Sequence, residues 1–112
     1  MIKRWEIYLV NFNPSRWSEQ AWIRPALVIQ NDVWNEFSST VIVSAISSKI
    51  KNNPTNIIIQ PDIKNNLTSV SVIKTSQLLT IDKQRLISKI WKLSTKDIEK
   101  INFSLKLSLW LN

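Results

Sequence analysis

The chain contains no glycine, no cysteine and no histidine in 112 residues. Without cysteine there is no disulfide framework and no thiolate metal site. Without histidine as well, zinc sites of the usual kind are excluded, as are Cys–His and Ser–His nucleophile pairs and a two-histidine acid–base pair. Any catalysis falls to Arg, Lys, Asp, Glu, Ser, Thr or Tyr, and neither a cofactor nor a metal is implied. Long hydrophobic runs are missing too. No stretch approaches the length needed to span a bilayer, and the N-terminal "MIKRWEIYLV" lacks a signal-peptide layout, so a cytoplasmic location away from membranes is expected. The absence of glycine is the abnormal one. Average usage is roughly 7%, or about eight residues in a chain of this size. Turns that require positive φ must use other residues, of which asparagine is the least costly.

What is present points to one small domain over residues 1–112. Hydrophobic residues make up 44%, enough for a modest core. Fifteen Lys and Arg against eight Asp and Glu give a net charge of +7. That balance favours a polyanionic partner, nucleic acid ahead of an anionic membrane surface. Asn, Ile and Lys also share AT-rich codons, which accounts for part of the lysine content. The six tryptophans are a large excess.

Residues 5–12, 25–31, 39–47, 56–60, 70–75 and 86–91 read as strands, rich in β-branched and aliphatic residues and separated by Asn-, Pro- and Ser-rich turns. "NDVWNEFS" reads as a turn, and "SQLLTIDKQ" as a turn or single helical turn. In the last segment Ser94 precedes Asp97 at capping-box spacing. Ile98, Ile101, Leu105 and Leu109 then recur at helical spacing, so an amphipathic helix over 95–109 is expected, packed on the sheet. Its outer edge, Leu107 and Leu111, is a candidate dimer contact. Many short strands and one helix suggest a small β-barrel or strongly bent sheet.

The blocks "RPALVIQND" and "SQLLTIDKQRL" are long and distinctive, and "PTNI" and the final "LSLWL" extend the pattern. Together they resemble the MazF/PemK family of toxin endoribonucleases, over essentially the whole chain. The resemblance implies a mainly β fold with a C-terminal α-helix, an SH3-like small β-barrel of the CcdB/PemK kind. It implies a homodimer, metal-independent and sequence-specific cleavage of single-stranded RNA through 2′-OH attack, and an acidic antitoxin of MazE type. Two rivals stand beside it. One is a catalytically weak or inactive SH3-like module that binds RNA or antitoxin. The other is a CcdB-like gyrase poison, which the "RPALVIQND" block argues against.

The resemblance also bears on the tryptophans. The family pattern reads roughly "RGDIYLV", "GSEQxGxRP", "NDxGN", "KIGxL" and "LSLGL". Trp5, Trp17, Trp22, Trp34, Trp91 and Trp110 each fall on one of its glycines. UGA is read as tryptophan under one variant bacterial code and as glycine under another, so these six positions are expected to be glycine in the source cell. The alternative is that the indoles are real, as core or RNA-stacking groups.

Metal-free RNA cleavage must align the 2′-OH with the scissile phosphate, stabilise charge on the phosphorane and protonate the departing oxygen. Arg24 stands at a loop–strand junction. On residues alone it reads as a solvated charge; the resemblance implies the catalytic arginine, acting as charge clamp and proton donor. Ser47 falls where many relatives carry a catalytic threonine, keeping the hydroxyl and losing the methyl. Ser18, Glu19 and Gln20 match a loop of the family, with Glu19 a candidate base or loop anchor. Lys74 and Ser76 stand where another branch of the family has an acting Arg and Asp, so that version of the mechanism does not transfer. Arg16, Lys49, Lys51 and Lys74 are candidate phosphate contacts, and Phe37 and Gln77 candidate base contacts.

Overall fold

The structure, a computed structural model, describes residues 1–14, 22–50 and 53–111. Six strands form one antiparallel sheet: β1 (Glu6–Asn11), β2 (Ile23–Val28), β3 (Thr40–Ser47), β4 (Asn56–Ile59), β5 (Ser71–Asp82) and β6 (Leu86–Lys92). A short helix α1 (Asp32–Phe37) joins β2 to β3, and α2 (Thr95–Leu109) closes the chain. The strand order is β4-β5-β3-β2-β1-β6. The fold class is the expected one, mainly β with a C-terminal helix. No pairing joins β4 to β6 among the described residues, so the barrel-like sheet has two edges.

The strands serve two cores, one on each face, because side chains alternate along a strand. Ile7, Leu27, Ile46, Ile59 and Ile73 pack with Ile101 and Leu105 of α2. Val10, Ala26, Val28, Val41 and Val43 form a second cluster, with Tyr8, Phe12, Ile81 and Leu86 against it. Pairing of β2 with β3 begins at Ala26, so the missing N–H of Pro25 costs no ladder bond on that side. The β3–β5 register shifts between Ser44 and Ile46, and a bulge there increases the local twist.

Helix α2 matches the expected bounds. Ser94 Oγ accepts the Asp97 N–H at 3.3 Å and caps the first turn. Ile101 and Leu105 are buried and Ile98 packs against their core, but Leu109 is half exposed. The stripe therefore ends one turn early, because β4 and β5 lie under the middle of the helix. A buried hydroxyl pair ties it down: Thr75 Oγ1 and Ser104 Oγ are 2.6 Å apart. Both hydroxyls also stand within hydrogen-bond reach of the Thr55 carbonyl, at 2.6 Å and 2.7 Å, and their two protons are shared among these contacts.

Two sequence expectations need correction. Residues 31–38 are not a turn. Asn31 caps a helix by accepting the Trp34 N–H at 3.0 Å, and buried Asn35 bonds Gln30 from the helix interior. Residues 76–84 are not a turn either. Leu78 to Asp82 continue β5 opposite Thr40 to Ser44, and only Lys83–Arg85 form a 3₁₀ turn.

At the other end of the sheet, buried Glu6 accepts from the Lys3 N–H at 2.7 Å and from Lys89 Nζ at 3.0 Å. The Tyr8 hydroxyl reaches the same carboxylate at 3.3 Å. Burial first, and then this negative neighbour, push the Tyr8 phenol above its ordinary pKa.

Candidate active site

β2 and β3 pair as Ala26 to Ala45, Leu27 to Ser44 and Val28 to Val43. The same register continued by two residues sets Arg24 abreast of Ser47. Both follow the face of Ala26, Ala45 and Val43, opposite the one that carries α2. Here the second core runs out and a cavity of about 590 Å³ opens. Arg24, Ser47 and Lys49 all line it, with Phe12, Ser48, Thr68, Ser69, Ser71 and Leu79 among its other walls. The residues that the sequence separates by more than twenty positions are thus brought together by strand register.

Arg24 is exposed at the start of β2, its Nη1 donating to the Ile23 carbonyl at 2.9 Å. Ser47 ends β3, and its Oγ accepts the Lys49 N–H at 3.1 Å. That bond uses an acceptor position and leaves the hydroxyl proton to donate to an anion. It also ties to Ser47 the backbone of Lys49, an exposed residue that lines the same cavity. An arginine fork, a serine hydroxyl and a lysine around one open hollow can hold a phosphodiester and stabilise added charge on it.

The other sequence candidates lie elsewhere. Lys74, half-buried on β5 opposite Asn56, and Gln77, exposed further along the same strand, do not border this cavity. Phe37 is exposed on α1, away from the lining. Arg16, Ser18, Glu19, Gln20 and Lys51 lie outside the described residues. No group of three or more acidic side chains able to hold a metal occurs among the described residues.

The cavity also contains what sequence reasoning missed. Thr68 and Ser69, from the connection between β4 and β5, and Ser71, which opens β5, line the cavity with Arg24. Phe12 offers an aromatic surface beside them. The density of small hydroxyl residues in "NNLTSVSV" was the available signal, but it is also what any polar loop looks like.

On the opposite side of the molecule Phe103, Leu107, Trp110 and Leu111 leave an exposed apolar face on α2, around a hollow of about 380 Å³. No helix among the described residues is long and apolar enough to cross a membrane.

Comparison with known proteins gives three results. The family model for the PemK-like, MazF-like toxin of type II toxin–antitoxin systems matches residues 3–109. The chain is 40% identical over 114 residues to Endoribonuclease MazF of Staphylococcus saprophyticus, covering 100% of this chain and 94% of that protein. Among solved structures, an endoribonuclease in complex with its cognate antitoxin from a mycobacterial species superposes with a TM-score of 0.84. It is 19% identical and covers 100% of this chain and 98% of that one. MazF in a MazE–MazF crystal from Deinococcus radiodurans gives 0.77 at 15% identity, covering 99% and 97%. At such identities the structural likeness is one of fold.

Proposed function

This chain belongs to the PemK-like, MazF-like family of type II toxins, and from that membership we propose that Arg24 and Ser47 form the centre at which it cuts RNA. It is an endoribonuclease, the toxin of a toxin–antitoxin pair. Its substrate is single-stranded RNA and its partner an antitoxin of MazE type. The +7 charge favours both an RNA chain and an acidic partner. The cytoplasm, where both would be met, is the location that goes with this reading.

The observation that carries the site is the convergence of Arg24, Ser47 and Lys49 on one open cavity. The scissile phosphate lies against the Arg24 fork, which hydrogen-bonds the non-bridging oxygens as the phosphorane gains charge. The 2′-oxygen attacks phosphorus, the bond to the 5′-oxygen breaks, and a 2′,3′-cyclic phosphate and a 5′-hydroxyl result. Arg24 supplies the proton that the 5′-oxygen takes up, and Ser47 orients the phosphate by donating its hydroxyl. In this reading the loop of Ser18, Glu19 and Gln20, which matches a loop of the family, joins this centre, with Glu19 accepting the 2′-OH proton. Lys49, with Arg16, Lys51 and Lys74, holds flanking phosphates, and Gln77 meets a base outside the cavity. We further assign the exposed α2 edge of Leu107 and Leu111 to a homodimer contact.

The test is a long single-stranded RNA incubated with the protein in EDTA. Discrete fragments with 5′-hydroxyl ends are expected. Intact RNA from a folded protein that still binds it would contradict the reading and leave a binding module in its place.

A further inference from the structure

Three described residues other than glycine have positive φ: Trp5 at 74°, Asn66 at 52° and Trp110 at 59°. Asparagine tolerates that region; an indole-bearing residue does not gain from it, because its Cβ crowds the carbonyl that follows. The two tryptophans also sit in motifs whose geometry asks for glycine. At the end of α2 the Trp110 N–H bonds the Leu107 carbonyl at 3.4 Å, and the Leu111 N–H bonds the Lys106 carbonyl at 2.8 Å. This pair of bonds is a Schellman ending, with Trp110 at its left-handed position. At the other end of the chain the Glu6 N–H bonds the Lys3 carbonyl at 3.3 Å, closing a turn with Trp5 third and at positive φ, the place glycine takes in a type II turn.

The conformation at position 5 is imposed by the backbone, not chosen by the side chain. The Trp5 N–H donates to Val28 at 2.9 Å, and its carbonyl accepts from Leu93 at 3.0 Å. Glycine would keep both bonds. The Trp5 ring meanwhile holds the Arg4 guanidinium at 4.4 Å, and Arg4 Nε is buried with no hydrogen-bond partner. Removing the ring returns that group to water.

The remaining described tryptophans have no evident task. Trp22, Trp34, Trp91 and Trp110 are exposed by 43%, 58%, 48% and 87%, so they are not core. None of the five lines the cavity that holds Arg24 and Ser47, so they offer no base-stacking surface there. Trp91 stands at an irregularity of the β1–β6 ladder, where pairing jumps from Ile7 with Trp91 to Tyr8 with Lys89, and such bulges also favour glycine.

With no glycine anywhere and six tryptophans, we propose that the cell encoding this chain inserts glycine at positions 5, 17, 22, 34, 91 and 110. The codon that fits is UGA, which different codes read as tryptophan or as glycine.

Peptide mass spectrometry of the protein isolated from its own cell tests this directly. Glycine at all six positions is expected, and tryptophan at any of them overturns the proposal; so does a UGG codon at any of the six. A second measurement needs only recombinant protein. Trp5→Gly and Trp110→Gly should each raise the folded-to-unfolded ratio about tenfold over Trp5→Ala and Trp110→Ala, since alanine keeps the Cβ and glycine removes it. Equal stability of the glycine and alanine variants would overturn the claim that these backbones are glycine sites.

Discussion

Arg24 illustrates what one side chain can and cannot reveal. An Arg-Pro pair ahead of a strand is unremarkable by itself, and only its resemblance to a family block marks it. The register of β2 on β3 then supplies the reason, because it sets Arg24 abreast of Ser47 at the mouth of one cavity. Ser47→Ala should slow cleavage about tenfold by removing one donor to the phosphate, while Ser47→Thr should restore or exceed the parent rate, since the added methyl narrows the rotamer choice. Single-turnover rates on one RNA check this. Thr68 and Ser69 could not have been singled out in advance, because their nearness to Arg24 depends on how the β4–β5 connection folds back. Leu109 was misjudged for a similar reason: helical spacing says which residues share a face, not where the neighbouring strands end.

At the scale of elements, periodicity and capping chemistry were legible and tertiary continuation was not. The Ser94 cap and the apolar spacing defined α2, and Ser94→Ala should cost about 1 kcal/mol in denaturant unfolding. "SQLLTIDKQ" looked like a turn because its polar residues interrupt the apolar pattern. In the fold, Leu79 and Ile81 pair with Val43 and Val41, and that long-range pairing carries β5 through. "NDVWNEFS" looked like a turn because Asn and Asp begin both turns and helices. Asn31 and Asn35 decide for the helix. The start of that helix also holds the N-terminal arm: Asp32 accepts the Arg4 N–H at 2.7 Å, and that bond first, with the Asn35 amide and the charges of Lys3 and Arg4, holds its carboxyl below the ordinary 3.8. A carboxyl lowered in the folded state stabilises above its unfolded value and loses that contribution as pH falls through the folded one. The Arg4 amide resonance should therefore shift at a pH below 3.8, and Asp32→Asn should abolish the shift. The tie between α2 and the sheet is the Thr75–Ser104 pair. Thr75→Val, which removes one hydroxyl and leaves Ser104 bonded to the Thr55 carbonyl alone, should cost about 1 kcal/mol.

For the whole molecule, charge and shape act together. A +7 chain with lysine and arginine spread over several loops binds RNA mainly through phosphates. Affinity should fall linearly on a log–log salt plot, by roughly 0.7 per phosphate neutralised on a single strand. Lys49→Ala should lower that slope by about one phosphate's worth with little change in which sites are cut, as read by fluorescence anisotropy and fragment mapping. The mainly β fold with its C-terminal helix was visible in the spacing of apolar residues and in the Ser94 cap. The open edges of the sheet and the position of the cavity were not, because both depend on the strand order, which no local pattern encodes. The central claim is that Arg24 stabilises the transition state rather than merely attracting RNA. The most direct measurement compares Arg24→Ala and Arg24→Lys with the parent, for RNA affinity and for cleavage rate in EDTA at saturating protein. It should be made on the chain as written and with glycine at its six tryptophan positions. The account predicts that in the active form Arg24→Ala binds RNA within a few-fold of the parent yet cuts it slower by about 10²–10³ or more, with Arg24→Lys between the two. An Arg24→Ala protein that cuts at the parent rate once saturated would contradict it.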